Sequence, residues 1–436
     1  MSQVGNDPLV TLEPYDEDQT ATATAAAELA VNPELVANSL GEYVRAWFSR
    51  VRGGDSGVLP VIIGMLVIAV IFESLNSKFL TAGNLVNLLV QGAVYMLLAM
   101  AEVFALLLGE IDLSAGFVGG VGGIIAAELV THAHGSWPWW AACGSALAVC
   151  AAIGAFQGTI ITRIGLPSFV VTLAGLLGFQ GVMLLILGNG GTLPINDKVI
   201  NDFANGRLTP TAGWIVMGAV VAAFALMTWQ RDSRRRASGL VAPPSSLTAL
   251  KIGGAVAAGM VVVLISNVNR GAAAPIRGMP WVVLIVLAVV SAWSVLLGRT
   301  KFGRYVYAIG GNAEAARRAG INLALIRTLA FTLASFTAGI AGIIYASRLR
   351  SVSTNLDGGQ LVLYAVAAAV IGGTSLFGGR GKAMHAVLGG IVIAAIDNGM
   401  GLQGFSAASK FVVTGIVLLA AVTIDAVARR GRTAGR

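Results

Sequence analysis

The chain has 436 residues, of which 56% are hydrophobic and only 11% charged, and its mean hydropathy is +0.80. Soluble domains carry about 25% charged residues, so this composition excludes a soluble globular protein and indicates many membrane spans. The net charge of +8 would suit a nucleic-acid-binding protein, but the positions of the basic residues favour membrane orientation and no nucleic-acid partner.

The amino-terminal region, residues 1–57, is predicted to be a cytoplasmic tail. Residues 1–31 are rich in Thr, Ala, Asp and Glu, which predicts disorder, and they lack the pattern of a secretory signal. Over about 33–52, apolar residues recur at helical spacing beside three arginines. This pattern predicts an amphipathic helix on the inner leaflet, or else a short helix that packs beneath the membrane domain.

The region 58–428 contains the apolar runs expected of membrane spans. It predicts an all-α, polytopic transmembrane bundle of about 10–12 spans with broken or Gly-rich helices, followed by a cytoplasmic tail at 429–436. The pair of runs between 361 and 398 also fits a re-entrant hairpin. The predicted spans are 58–75, 88–108, 114–131, 138–161, 168–188, 212–229, 250–266, 281–297, 325–346, 361–377, 384–398 and 410–428.

The basic residues predict the orientation of these spans. If both termini are cytoplasmic, 21 of the 29 Lys and Arg residues fall on the inner side and 8 on the outer side. Such a bias is typical of the positive-inside rule, and it places the loop 298–327 in the cytoplasm. The long polar loop 188–213 is then external, where it either meets an extracytoplasmic partner or is an ordinary surface loop.

The loop 298–327 is predicted to contain a short helix of about two turns. Asn312 is placed to cap its start, Glu314 lies in the first turn, and Gly320 is placed to end it. The helix has a surface of small alanine residues, which suits insertion into a groove of a partner protein. An ordinary connector helix among the lipid headgroups fits the same local pattern.

Four sequence segments resemble the permease subunits of bacterial ABC sugar importers of the ribose/xylose type. GRYVYAIGGNAEAARRAGIN (303–322) is similar to the cytoplasmic coupling loop of that family, with Ala313 as an extra residue. GEIDLSAGFVGGVGG (109–123) resembles the IDLSxG signature of the family. The similarity of the coupling loop continues through ALIRTLAFTLASFTAGIAGIIYASRLRS (324–351). AAAVIGGTSLFGGRGKA (367–383) and LGGIVIAAIDNGMGL (388–402) extend the resemblance in matching order. The insertion at 230–280 looks more like the xylose-type subgroup.

The resemblance implies a membrane subunit of a monosaccharide importer in the bacterial plasma membrane, with xylose or a related sugar as the substrate. It implies three protein partners, namely an ABC ATPase subunit, a periplasmic or lipid-anchored sugar-binding protein and a second permease subunit, expected to be identical. ATP would bind to the ATPase, so this chain would need no cofactor.

The resemblance and the local patterns together name two groups of site residues. The first group would couple the chain to the ATPase and comprises Gly311, Asn312, Glu314, Ala315, Ala316, Arg317, Arg318 and Gly320. The second would form a pathway or gate and comprises Asp112, Ser114, Gly116, Gly120, Gly372 and Gly373. Capping and close helix packing explain the second group equally well.

Other functions remain open at this level. The sequence has no nucleotide-binding loop, metal-ligand motif or catalytic triad, so an enzyme is not expected. A permease for ribose, galactose, a nucleoside or a branched-chain amino acid is one alternative. A secondary sugar–proton symporter is another, and it would use intramembrane acids such as Glu102, Glu128 or Asp397.

Overall fold

The computed structural model describes residues 41–46, 59–131, 136–188, 191–238, 243–271, 274–354 and 358–433. Residues 41–46 are helical, and the rest of the predicted amino-terminal tail and its helix lies outside these ranges. The predicted carboxy-terminal tail begins inside a helix that continues to Thr433.

Helices account for most of the described chain. Two short strands, β1 (Thr192–Pro194) and β2 (Ser351–Ser353), pair in antiparallel fashion. The helices are α1 (Leu59–Leu75), α2 (Ala82–Leu107), α3 (Ala115–Val130), α4 (Trp139–Thr159, extended by the π-helix Ile160–Ile164), α5 (Ser168–Leu187), α6 (Lys198–Asn205), α7 (Pro210–Ala237), α8 (Ser245–Asn267), α9 (Trp281–Arg299), α10 (Lys301–Gly311), α11 (Ala313–Arg318), α12 (Leu323–Leu349), α13 (Gly358–Ile371), α14 (Ala383–Leu402) and α15 (Ala407–Thr433).

The helices confirm the predicted fold class. Among the described residues, eight helices are long and apolar enough to cross a membrane: α2, α4, α5, α7, α8, α9, α12 and α14. Four shorter apolar helical segments, 59–75, 115–130, 358–371 and 407–417, match the remaining predicted runs. The chain is therefore a multi-pass, all-α membrane protein.

One predicted span has a different end. The apolar pattern predicted a span over 361–377, but α13 ends at Ile371. The backbone closes the helix there, since Gly373 N–H donates to Val370 O and Thr374 N–H donates to Ala369 O, both at 2.9 Å. Residues 372–382 form a compact loop instead.

The core lies around α2 and α12. α12 packs against α2, α3 and α4, while α13 and α14 also pack against α2. α2 has the most buried apolar stretch of the candidate spans, and Phe104 in α2 and Phe331 in α12 are fully buried. Small residues let these helices approach closely, as at Gly119 and Gly342, where an added Cβ on Gly342 would lie 1.7 Å from Gly119 O.

Loops gather at two opposite ends of this bundle, which we call the Gly310 end and the Trp281 end. The Gly310 end contains residues 108–114, 300–322 and 372–382. The Trp281 end contains residues 191–209, 274–280 and 350–354. α6 lies at the Trp281 end, where Ala204 N–H donates to Ser347 Oγ at 2.9 Å.

The chain divides into two compact units, residues 1–53 with 219–258 and residues 54–218 with 259–436. The bundle above belongs to the larger unit. In the smaller unit, a polar cluster connects α7 to α8. Thr248 Oγ1 donates to Asp232 Oδ2 at 2.8 Å, and Arg236 Nη2 donates to Thr248 Oγ1 at 3.2 Å.

Candidate functional site

The predicted coupling loop folds as two consecutive short helices, α10 and α11. The side chain of Thr300 caps α10 by accepting a hydrogen bond from Gly303 N–H at 3.2 Å. Asn312 ends α10 and caps α11, since its Oδ1 accepts from Ala315 N–H at 3.0 Å. Gly320 follows α11 with φ +78°. The predicted caps are confirmed, and the helix has six residues, slightly fewer than the two turns predicted.

α11 presents a small, charged surface to its surroundings. Ala316 is buried against the core, whereas Gly311, Asn312, Glu314, Ala315 and Gly320 are exposed. Glu314 lies 3.3 Å from Arg317 and 3.2 Å from Arg318, and all three side chains are more than half exposed. Exposed pairs of this kind add little to stability, so the charges remain available to a partner protein.

α10 packs directly on the end of α2 and on the loop 372–382. A Cβ on Gly310 would lie 1.8 Å from Leu107 O and 2.5 Å from Gly379 N, so only glycine fits between α2 and the loop 372–382. Gly379 N–H in turn donates to Leu107 O at 2.9 Å. The end of α10, the end of α2 and the loop before α14 thus form one tightly packed junction, the Gly310 junction.

The loop 372–382 is fastened to α10 by a second contact. Tyr307 Oη donates to Gly381 O at 2.7 Å, and burial raises the pKa of Tyr307. Within the loop, Ser375 N–H donates to Arg380 O at 2.9 Å. Gly372 and Gly373, which were predicted as pathway residues, lie at the start of this loop. Gly372 packs on the backbone of His385, and Gly373 lies beside the His385 ring.

The segment between α2 and α3 is joined to the end of the coupling loop by an ion pair. Arg327 Nε, in the first turns of α12, lies 3.1 Å from Glu110 Oε1, and their side chains are 30% and 11% exposed. Burial raises the pKa of Glu110, and the Arg327 guanidinium opposes that rise. Removal of only one partner would leave the other charge partly buried without compensation, which lowers stability. The ion pair therefore holds the segment 108–114 against the start of α12.

Asp112 and Ser114, predicted as pathway residues, are fully buried at the start of α3. Asp112 Oδ1 accepts from Ser114 N–H at 2.9 Å and from Ser114 Oγ at 2.6 Å. Gln157 Nε2, from α4, donates to Ser114 Oγ at 3.0 Å. Ser114 occupies the N-cap position of α3, but its side chain makes no capping hydrogen bond, so capping by Ser114 is wrong. Asp112 instead holds the Ser114 N–H, and the Ser114–Gln157 contact connects α3 to α4. Whether the residues also border a pathway stays a prediction.

The predicted glycines of α3 occupy two different surroundings. A Cβ on Gly116 would lie 2.0 Å from Gly358 O, so this glycine marks a close contact with α13. Gly120 is also buried, but it lines a small cavity of about 40 Å³ between α3 and α12.

The structure therefore brings most of the predicted residues to one end of the bundle. It also adds Tyr307 and Gly310, which were not among the predicted site residues. Gly310 lay inside a matching segment, but its importance depends on the approach of Leu107, which is distant in sequence. Glu102 is fully buried, and neither carboxylate oxygen has a hydrogen-bond partner among the described residues.

Comparison with known proteins identifies the family. The family of branched-chain amino acid transport system permease components matches residues 84–422. The xylose transport system permease protein of Escherichia coli strain K12 is 34% identical over 384 residues, which cover 88% of this chain and 95% of the relative.

Two further relatives have similar coverage. The corresponding xylose permease of Haemophilus influenzae is 36% identical over 84% of this chain and 96% of its own. The ribose import permease protein of Escherichia coli K12 is 29% identical over 88% of this chain and 95% of its own. No solved structure matches the chain.

Proposed function

Because the chain belongs to the family of branched-chain amino acid transport system permease components, we propose that it is the membrane subunit of an ATP-driven monosaccharide importer. One observation carries the proposal. The exposed helix α11 follows directly on α10, which packs tightly on the end of α2 and on the loop before α14. A force applied to α11 by a partner protein therefore acts on helices at the centre of the bundle.

We assign the Gly310 end to the cytoplasm, where an ATPase partner would bind. The distribution of Lys and Arg supports this orientation, because the coupling loop contains six basic residues and short cytoplasmic loops are enriched in them. Both termini would then be cytoplasmic. The Trp281 end would face a sugar-binding protein, and a second copy of the chain would complete the transport pathway in the bacterial plasma membrane.

The mechanism that follows is alternating access. ATP binding would draw the two ATPase subunits together and move α11 with them. Since Gly310 leaves no space between Leu107 and Gly379, α10 cannot move without displacing α2 or the loop 372–382. The Glu110–Arg327 ion pair would carry the same displacement to the start of α12. ATP would be bound and hydrolysed on the partner subunit.

The names of the relatives support a pentose or a similar sugar as the substrate. Two of the relatives described above are named as xylose permeases and one as a ribose permease. We propose xylose first and a related monosaccharide second. The extra segment around α7 and α8, residues 230–280, also favours the xylose-type subgroup.

A second candidate, a secondary sugar–proton symporter, has one observation in its favour. Asp397 of α14 forms an ion pair with Lys410 of α15 at 2.9 Å and accepts from Tyr95 Oη at 2.9 Å. Charged groups inside membrane spans are costly and often functional. However, every polar group named here already has a partner within this network, which also suits a purely structural clamp between α2, α14 and α15.

The experiment that separates the two candidates is uptake of labelled xylose into cells that produce this chain. The importer requires the ATPase and the binding protein encoded with it, and its uptake continues when a protonophore collapses the proton gradient while cellular ATP is maintained. Uptake that needs neither partner and stops with the protonophore would overturn the proposal in favour of a symporter.

A further inference from the structure

A surface pocket of about 590 Å³ lies at the Trp281 end, between the start of α7 and the loop that leads into α9. Its polar lining comes from Arg207, Arg277, Asn205 and Thr209. None of these residues belongs to the Gly310 junction, and the transport mechanism above does not use them.

The pocket is held in shape by the backbone on both sides. Leu208 N–H donates to Met279 O at 2.9 Å, and Trp281 N–H donates to Gly206 O at 3.2 Å. Gly278 has φ +106°, and a Cβ there would lie 1.9 Å from Leu208 O. Arg270 supports this turn, since its Nη2 donates to Gly278 O at 3.1 Å. Arg207 and Arg277 are therefore presented from a fixed frame.

The pocket has an excess of positive charge. Arg207 and Arg277 are exposed, and neither forms an ion pair with a carboxylate in the part of the chain that the structure describes. Beside the pocket, partial burial and the Arg207 guanidinium lower the pKa of Arg270, so this region carries a third positive charge. Like charges repel one another, so a bound anion is favourable where arginines that line one pocket have no carboxylate partner.

The position of the pocket selects the kind of anion. Trp214, in the second turn of α7, and Trp281, the first residue of α9, are both exposed. Tryptophan rings at span starts lie at the level of the lipid headgroups, so the pocket lies at that level too. Exposed Ile215 beside Trp214 offers an apolar surface for acyl chains.

We propose that Arg207 and Arg277 bind the phosphate of an anionic phospholipid headgroup, whose acyl chains lie beside Trp214 and Trp281. The guanidinium groups would donate to the phosphate oxygens, a pairing that their planar geometry favours. Because Arg207 precedes α7 and Arg277 precedes α9, one lipid bound by both would connect the starts of these two helices. The inference does not depend on which end of the bundle is cytoplasmic or on the energy source for transport.

The test measures lipid binding to the purified full-length chain by native mass spectrometry. The delipidated protein is titrated with phosphatidylglycerol and, separately, with phosphatidylcholine. We expect the wild type to prefer phosphatidylglycerol, and the Arg207→Gln/Arg277→Gln variant to lose roughly 10-fold or more in its affinity for that lipid, since each basic residue near a membrane surface contributes about 1 kcal/mol. The control variant Lys78→Gln/Arg348→Gln removes two positive charges of the same end and should keep the preference.

Three results would overturn the proposal. The first is equal binding of phosphatidylglycerol to the wild type and the Arg207→Gln/Arg277→Gln variant when gel filtration shows both to be folded. The second is a stabilising effect of inorganic phosphate without any preference between the two lipids, which would assign the pocket to free phosphate. The third is loss of binding-protein association in the double variant with unchanged lipid binding, which would assign the pocket to acidic side chains of that protein.

Discussion

Gly310 and Leu107 approach so closely that a Cβ on Gly310 would lie 1.8 Å from the carbonyl oxygen of Leu107. The next residue, Gly311, has no atom within 4 Å of the corresponding position. The two neighbouring glycines therefore differ sharply in what surrounds them, although both belong to the same sequence motif. Their difference offers a matched test of the Gly310 junction.

We expect Gly310→Ala to destabilise the protein by about 1–3 kcal/mol, the usual cost of forcing atoms into a packed site, and to lower sugar uptake. Gly311→Ala should leave stability unchanged or raise it by up to about 1 kcal/mol, because alanine favours the helix. Thermal unfolding in detergent compares the two variants. Equal effects of both would show that the junction is not tightly packed.

Exchange of the charges of Glu110 and Arg327 tests whether this ion pair transmits motion. Glu110→Arg leaves two positive charges together in a partly buried place and should reduce both stability and uptake. Breaking a buried ion pair at one partner costs about 3–5 kcal/mol, and since this pair is partly exposed we expect a smaller loss of about 1–3 kcal/mol. The double variant Glu110→Arg/Arg327→Glu should recover at least part of the uptake. A double variant no better than Glu110→Arg would count against a direct interaction.

Glu102 provides a test between the importer and the symporter. Its carboxylate is fully buried without a hydrogen-bond partner among the described residues, and an unpaired buried charge costs several kcal/mol. Such a carboxyl is therefore favoured in its neutral form. Glu102→Gln keeps the shape and removes only the titratable proton, so the importer should tolerate it with ATP-dependent uptake within about threefold of the wild type and similar stability. Loss of all uptake in a folded variant would favour a proton-carrying role.

Much of this fold is predictable from the sequence because membrane spans depend mainly on local composition. Each of the twelve apolar runs contains a helix, and Asn312 and Gly320 bound α11 as their residue types predict. The predicted ends of spans are wrong where polar residues lie inside a helix or where an apolar stretch continues beyond the end of a helix. α2 begins at Ala82 rather than 88, because the Thr81 side chain caps it by accepting from Asn84 N–H. The polar Asn84 side chain inside the helix is paired with Asn398 at 2.7 Å, a contact between distant positions.

The site was harder to predict than the fold. The motifs at 109–116, 303–322 and 372–382 were recognisable one by one, but their contact at Gly310 depends on how α2 and α10 pack. Leu376 and Phe377 extended the apolar pattern of α13 past its true end at Ile371. The hydroxyl of Tyr307 on Gly381 and the pairing of Glu110 with Arg327 likewise join positions that no local pattern connects.

Charge reversal at Glu314 tests the electrostatic part of partner binding. Glu314→Arg should uncouple ATP hydrolysis from uptake while the protein remains in the membrane. Because Glu314 also pairs with Arg317 and Arg318, Glu314→Gln is the matched control for loss of those pairs and should have a smaller effect. ATP-driven uptake of Glu314→Arg at the wild-type rate would contradict a role for this charge.

Co-purification of the chain with its ATPase tests the central claim that α11 is the binding site of that partner. Ala315 is exposed, while its neighbour Ala316 is buried, so Ala315→Trp enlarges the outer surface of α11 without disturbing the core. Lys78→Trp, at the opposite end of the bundle, is the control for the added bulk. We predict that the wild type and Lys78→Trp retain the ATPase and that Ala315→Trp, folded and in the membrane, loses it. Full retention by Ala315→Trp would contradict the assignment of α11 as the coupling helix.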